Sequence, residues 1–205
     1  MKNGTYEMTK RIFDLVLSGI LIVLLLPFML VISIAIYIGY PWIIIYKSER
    51  VGKNGEKFGM FKFSTLVRNA DNLGGIAVAR EDGRTTKVGK FLRRTKLDEL
   101  PTLFNVFKGD MSFVGPRPEV PFYVEKFTEE EKKILSVPQG ITDFSSIRFR
   151  NESEILENSG YEDKDKAYED LIQPEKLKLQ LKYVKERNFL LDVKLILITI
   201  KSVFK

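Results

Sequence analysis

The chain has 205 residues, a formal net charge of +6, and neither cysteine nor histidine. Its length supports one domain with a core of its own plus appendages. The missing residues exclude disulfides, thiolate nucleophiles and zinc held by Cys or His, so chemistry falls to carboxylates, Lys, Tyr, Ser or Thr, and any metal would be a hard cation on oxygen ligands, magnesium first.

A short basic flank with Lys2, Lys10 and Arg11 leads into an apolar run from Leu15 to Tyr37. As a helix this run is roughly 35 Å long, against a hydrocarbon core of about 30 Å. Length alone permits a single-pass anchor. Pro27 near the middle, and basic residues on both flanks, favour a helix that kinks and turns back, each arm reaching mid-bilayer. Residues 1–46 are therefore read as the N-terminal flank and a re-entrant membrane helix. Residues 47–205 are read as a cytoplasmic α+β domain, entered through an interfacial belt at Tyr40, Pro41 and Trp42.

Asn54-Gly55 marks a hairpin turn, followed by alternation through Phe63. Lys62 lies inside that alternation, where the simplest use is a snorkelling edge-strand lysine. Ile76 to Ala79 reads as a short strand and Val88 to Arg94 as a helix. Asp98 and Glu99 then stand between a basic run (Lys87, Lys90, Arg93, Arg94, Lys96) and Arg117, which is mounted between Pro116 and Pro118. Thr95 and Asp98 fit a capping box, which would occupy Asp98 and leave Glu99 without a task. The other use of the pair is chemical: carboxylates kept ionised beside Arg, with cations and a metal holding a polyanion.

Thr128 and Glu131 fit a second capping box. Arg148 and Arg150 add two cations of unassigned task, and the acidic stretch from Glu152 to Asp170 reads as solvated helix or loop. From about 174 to 205 the pattern is a basic amphipathic helix, lying on an anionic membrane surface or closing the soluble core.

These pieces, in order, resemble the bacterial sugar transferases known as small monotopic phosphoglycosyl transferases. The resemblance rests on Lys10-Arg11 with Phe13-Asp14, on Pro27, on ERVGKNGEKF with Lys62-Phe63, on FLRRTKLDELPTLFNVFKGDMSFVGPRPE, and on YVKERNFLLDVKLILITIK. It implies a re-entrant helix with both ends cytoplasmic, at the bacterial inner membrane. It implies transfer of a phosphosugar from a UDP-sugar to polyprenyl phosphate with release of UMP, Asp98 being the nucleophile and Glu99 the magnesium ligand. Lys62, Arg93 and Arg117 match phosphate-contacting positions, and Arg94, Arg148 and Arg150 join them as candidates. Partners expected on this basis are the donor, the acceptor and membrane lipids, with homo-oligomerisation left open. Ser64, Leu66, Leu26 and Asp143 depart from the residues common at the matching positions. The alternative is a single-pass anchored scaffold that binds anionic lipid or glycan without chemistry. No nucleic-acid-binding motif is present.

Overall fold

The computed structural model describes residues 2–79 and 81–203; Phe204 and Lys205, at the end of the expected C-terminal helix, lie outside them. The chain opens with α1 (Lys2–Gly39), 38 residues in one helix that continues through Pro27. At 1.5 Å per residue it is about 57 Å long. Two arms separated by a break at Pro27 are not seen: the ring removes one backbone donor, but the helical ladder resumes on either side. Among the described residues α1 is the one helix long and apolar enough to cross a membrane.

Both halves of α1 pack on the rest of the molecule. Phe13, Leu17 and Leu21 lie against a core of Met60, Val106, Met111, Val114, Tyr183 and Leu195. Beyond Pro27, Met29, Ile32 and Ile36 are buried with Phe63 and Leu92. The opposite face, including Val23, Leu24, Val31 and Ile38, is exposed.

The hairpin forms as its turn residues dictate. β1 (Ile45–Val51) pairs antiparallel with β2 (Lys57–Phe63), and Asn54 and Gly55 take the positive φ values of 58° and 81° that this turn requires. Residues 76–79 form no strand. Instead the Asp165 carboxylate accepts from the N–H groups of Ile76 and Ala77 at 3.0 and 2.6 Å, so the backbone donors that a strand would pair are met by a side chain.

Helix α2 (Lys87–Thr95) is capped by Thr86, whose hydroxyl accepts from the Gly89 N–H at 2.9 Å. It ends where Lys96 enters the left-handed region at φ 61°. A 3-10 turn over Leu97–Glu99 follows, and then α3 (Thr102–Lys108). Thr95 does not cap this turn; its hydroxyl donates back to the carbonyls of Phe91 and Leu92, so Asp98 is free of the capping role.

Past α3, β3 (Ser112–Val114) pairs in parallel with β4 (Gly140–Thr142), with short α4 (Pro121–Val124) and a 3-10 turn at Glu131–Ser136 between them. The Thr128–Glu131 box forms, both the N–H and the hydroxyl of Thr128 donating to the Glu131 carboxylate. Helices α5 (Phe144–Arg148), α6 (Glu152–Glu157) and α7 (Lys164–Leu171) lead to α8 (Gln173–Glu186) and α9 (Phe189–Val203). Asp143, one of the unusual residues, caps α5 by accepting from the Ser146 N–H at 2.7 Å.

The expected single C-terminal helix is two, broken at Arg187-Asn188. Its second part is tied inward: Asp192 is buried and accepts from Lys10 at 2.7 Å, from Tyr6 at 2.8 Å and from Tyr183 at 2.7 Å. That contact gives α9 a core-closing face, while Leu190, Leu197 and Ile200 stay exposed.

Candidate active site

Asp98 and Glu99 are held at the junction of α2 and α3, and the geometry follows from local chemistry. Lys96 turns the chain by adopting the left-handed conformation, Leu97 to Glu99 make one tight turn, and Pro101 starts the next helix where its missing N–H costs nothing. Helix α3 then clamps β2. Asn105 accepts from the Phe61 N–H at 2.9 Å and donates to the Gly59 carbonyl at 2.8 Å, while Thr102 donates to the Phe61 carbonyl at 3.0 Å. With Phe61 pinned, the neighbouring Lys62 is aimed at Glu99.

Lys62 Nζ donates to Glu99 Oε1 at 2.8 Å. It is therefore a half-buried ion-pair partner and not the snorkelling lysine that its strand position suggests. Arg117 grips the same carboxylate with both terminal nitrogens: Nη1 donates to Oε2 at 3.1 Å and Nη2 to Oε1. The loop carrying Arg117 is rigid beyond its two prolines. The Gly115 N–H donates to Thr142 at 3.0 Å, the Gly140 N–H donates to Pro116 at 2.8 Å, and Gln180 donates to the Arg117 carbonyl at 3.2 Å. Glycine is required at this crossing, because a Cβ on Gly140 would lie 2.1 Å from the Gly115 nitrogen.

Electrostatics divides the carboxylates. Burial alone would raise Glu99, but Arg117 and Lys62 overcome it and hold the carboxyl well below its ordinary range. Asp98 moves the other way: burial, and then the neighbouring Glu99 charge, push it up against the opposing influence of Lys62, Arg93 and Lys96. Asp98 is 8% exposed, and its Oδ1 has no hydrogen-bond partner. A buried oxygen left unmatched costs roughly 1–3 kcal/mol; Thr85 Oγ1 and Gln180 Oε1 share that state, but Asp98 Oδ1 alone of the three belongs to a carboxylate.

The remaining candidates are spread out. Arg93 is half-buried on the last turn of α2, near enough to weigh on Asp98. Arg94 is exposed on the same helix. Arg148 is not brought to the carboxylates; it is exposed and pairs with Glu175 at 3.5 Å. Arg150 is half-buried just beyond α5. Among the described residues no group of three or more Asp or Glu forms a metal-binding cluster. A cation here would be held by Glu99 through Oε2, which accepts a single hydrogen bond. One carboxylate suits magnesium, which keeps several waters and shares its shell with substrate phosphates.

A second buried charge cluster adjoins the first and is not evident from the sequence. Glu119 Oε1 accepts from Tyr168 at 2.5 Å and from Lys176 Nζ at 2.8 Å, and Lys176 also reaches Glu152 at 3.3 Å. Burial would raise Glu119, yet Lys176 and Tyr168 hold it below its ordinary value. The one local signal was Glu119 itself, at the end of the GPRPE run.

A family model described as "Bacterial sugar transferase" matches residues 5–205. A Bacillus subtilis (strain 168) protein, provisionally named an undecaprenyl-phosphate N-acetylgalactosaminyl 1-phosphate transferase, is 43% identical over 129 residues, covering 63% of this chain and 72% of that protein. The Klebsiella pneumoniae UDP-glucose:undecaprenyl-phosphate glucose-1-phosphate transferase is 32% identical over 204 residues, covering 97% of this chain and 40% of its own. The Salmonella typhimurium undecaprenyl-phosphate galactose phosphotransferase is 36% identical over 163 residues, 70% of this chain and 33% of that one. The chain thus spans less than half the length of the latter two relatives. With nearly every residue inside the family match, the chain belongs to the bacterial sugar transferase family.

Proposed function

We infer that this protein transfers a sugar 1-phosphate from a UDP-sugar to polyprenyl phosphate, undecaprenyl phosphate in bacteria, through a covalent phosphosugar on Asp98. The observation behind this is the buried, unpartnered Oδ1 of Asp98 beside a Glu99 locked by two cations. The names of the relatives support the substrate classes.

A carboxylate nucleophile needs no base to remove a proton, which suits a chain without histidine. In the first displacement Asp98 Oδ1 forms a bond to the β-phosphorus, the bond from that phosphorus to the bridging oxygen breaks, and the electron pair leaves with UMP. In the second, a phosphate oxygen of the polyprenyl acceptor attacks the same phosphorus and Asp98 departs as carboxylate. Lys62 and Arg117 hold Glu99 in place, and their charge offsets the growing negative charge of the phosphates. Bound through Glu99, magnesium would supply further neutralisation of the diphosphate.

The same reading puts the site at the cytoplasmic face of the inner membrane, with α1 dipping into the bilayer without crossing it and both its ends on that face. Packing supports it: a straight helix normal to the membrane would take its last dozen residues away from the domain, whereas Met29, Ile32 and Ile36 are buried against Phe63 and Leu92. Single cysteines at Asn3 and Glu162, probed with an impermeant reagent on intact cells, test this. Both should stay unlabelled, and labelling of one alone would rule out that topology.

The reaction is tested with purified protein in nanodiscs, magnesium, polyprenyl phosphate and a panel of UDP-sugars. UMP release and a phosphosugar adduct on Asp98, read by mass spectrometry, are expected. Full activity in Asp98→Asn would refute the nucleophile.

A further inference from the structure

Arg50 is a cation to which neither the sequence pattern nor the reaction above gives a task. Antiparallel register pairs Arg50 with Phe58, Ser48 with Met60 and Tyr46 with Lys62, so Arg50 and Lys62 share one face of the hairpin with Ser48 and Met60 between them. Lys62 leaves one end of this face for Glu99. At the other end the Val51 N–H donates to the Glu119 carbonyl at 2.9 Å, which fixes Arg50 beside the loop that carries Arg117.

Arg50 is half-buried, and its Nε donates to the Ser48 hydroxyl at 3.2 Å. Among the described residues its two terminal nitrogens meet no acceptor. Glu119 is the carboxylate that most influences it, but Glu119 Oε1 is already taken by Tyr168 and Lys176. A half-buried guanidinium whose terminal donors meet no protein acceptor keeps a fork open to an arriving anion. Lys62 at one end of the face is bonded to Glu99, the neighbour of Asp98, whereas Arg50 at the other end sits where Val51 is bonded to Glu119. Arg50 thus lies towards Arg117 and Glu119, at the end of the charge cluster away from Asp98.

We propose that Arg50 forms the phosphate-holding end of the active site opposite Asp98, a role that rests on the reaction proposed above. In-line displacement puts the leaving group across the phosphorus from the nucleophile. With Asp98 on one side, the α-phosphate of the donor leaves on the other, and the acceptor phosphate must later attack from that same vacated side. One fork of two N–H donors there serves both steps: it takes the charge of departing UMP, then seats the phosphate of the polyprenyl acceptor. Glu119 is paired with Lys176 and accepts from Tyr168, and it makes no hydrogen bond or ion pair to Arg50 that would close the fork off.

The test uses the full chain in nanodiscs, as wild type, Arg50→Gln and Arg50→Lys, with UMP as the probe in calorimetry and as a product inhibitor. Arg50→Gln should weaken UMP by about 10- to 100-fold, the size of one charge-assisted hydrogen-bonding group. It should leave uridine binding unchanged and raise the KM for polyprenyl phosphate in the second half-reaction. Arg50→Lys keeps the charge and loses the fork, so it should recover part of the UMP affinity; it also serves if the glutamine variant does not fold. UMP affinity in both variants within about twofold of wild type, a threshold set by measurement error, overturns the role of Arg50. Absence of UMP release from every UDP-sugar by the wild type overturns the reaction itself, and the role with it.

Discussion

Two buried carboxylates, Glu99 and Glu119, each sit between a lysine and further donors, and they differ in what stands beside them. Around Glu119 the described partners Tyr168, Lys176 and Glu152 form a satisfied set. Around Glu99 the grip of Lys62 and Arg117 is as firm, but the adjoining Asp98 keeps one oxygen with no partner. On the reaction proposed above, the first arrangement is a frame and the second is a frame around the nucleophile. Buried charge by itself therefore does not identify chemistry.

The sharpest way to separate the two is Asp98→Asn. UMP release should fall by about a thousandfold or more, while the thermal midpoint stays level or rises, since a desolvated charge is removed. A midpoint drop as large as that of a Glu119 variant would erase the distinction. Lys176→Met should do the reverse, destabilising by about 3–5 kcal/mol in denaturant unfolding because Glu119 is left buried and unpaired. Adding Glu119→Gln to it should recover much of that loss.

pH gives a smaller and signed effect. Glu119 titrates below its ordinary 4.5 in the folded chain, so its contribution to stability is present above that pH and is lost as pH falls through the lowered value. The stability gap between wild type and Glu119→Gln should shrink below pH 4.5, by at most about 1.4 kcal/mol per pH unit, and a constant gap in a denaturant series carried from pH 7 to about 2.5 would show that Lys176 does not hold Glu119. The smallest effect belongs to Arg148→Ala. Its exposed pair with Glu175 should be worth about 0.5 kcal/mol or less, with the donor KM unmoved.

Local signals in the sequence were reliable where a few adjacent residues decide the outcome. The Asn54-Gly55 turn, the Thr128–Glu131 box and the helix around Val88 to Arg94 all form. Signals failed where a distant group intervened. Ile76 and Ala77 lost a strand to Asp165, Thr95 turned back on its own helix, and the break at Arg187-Asn188 lets Asp192 reach Lys10. The site shows the same split. Asp98, Glu99 and Arg117 stand out as one crowded stretch, but Lys62 has the pattern of an edge-strand lysine until Asn105 and Thr102 fix its strand. Glu119, Tyr168 and Lys176 are joined across 49 and 57 residues of chain, a separation that leaves no periodic trace.

The seating of α1 on α3 has a mechanical consequence. Arg11 donates to the last carbonyls of α3, those of Val106 and Phe107, and the Phe107 ring lies against Gly19. Helix α3 begins three residues after Glu99. On the membrane placement proposed above, the depth of α1 sets the height of the two carboxylates above the lipid, and with it their reach to a headgroup-level phosphate. The long helix would then act as a depth gauge, and the thickness of the lipid used for reconstitution would become a variable of catalysis.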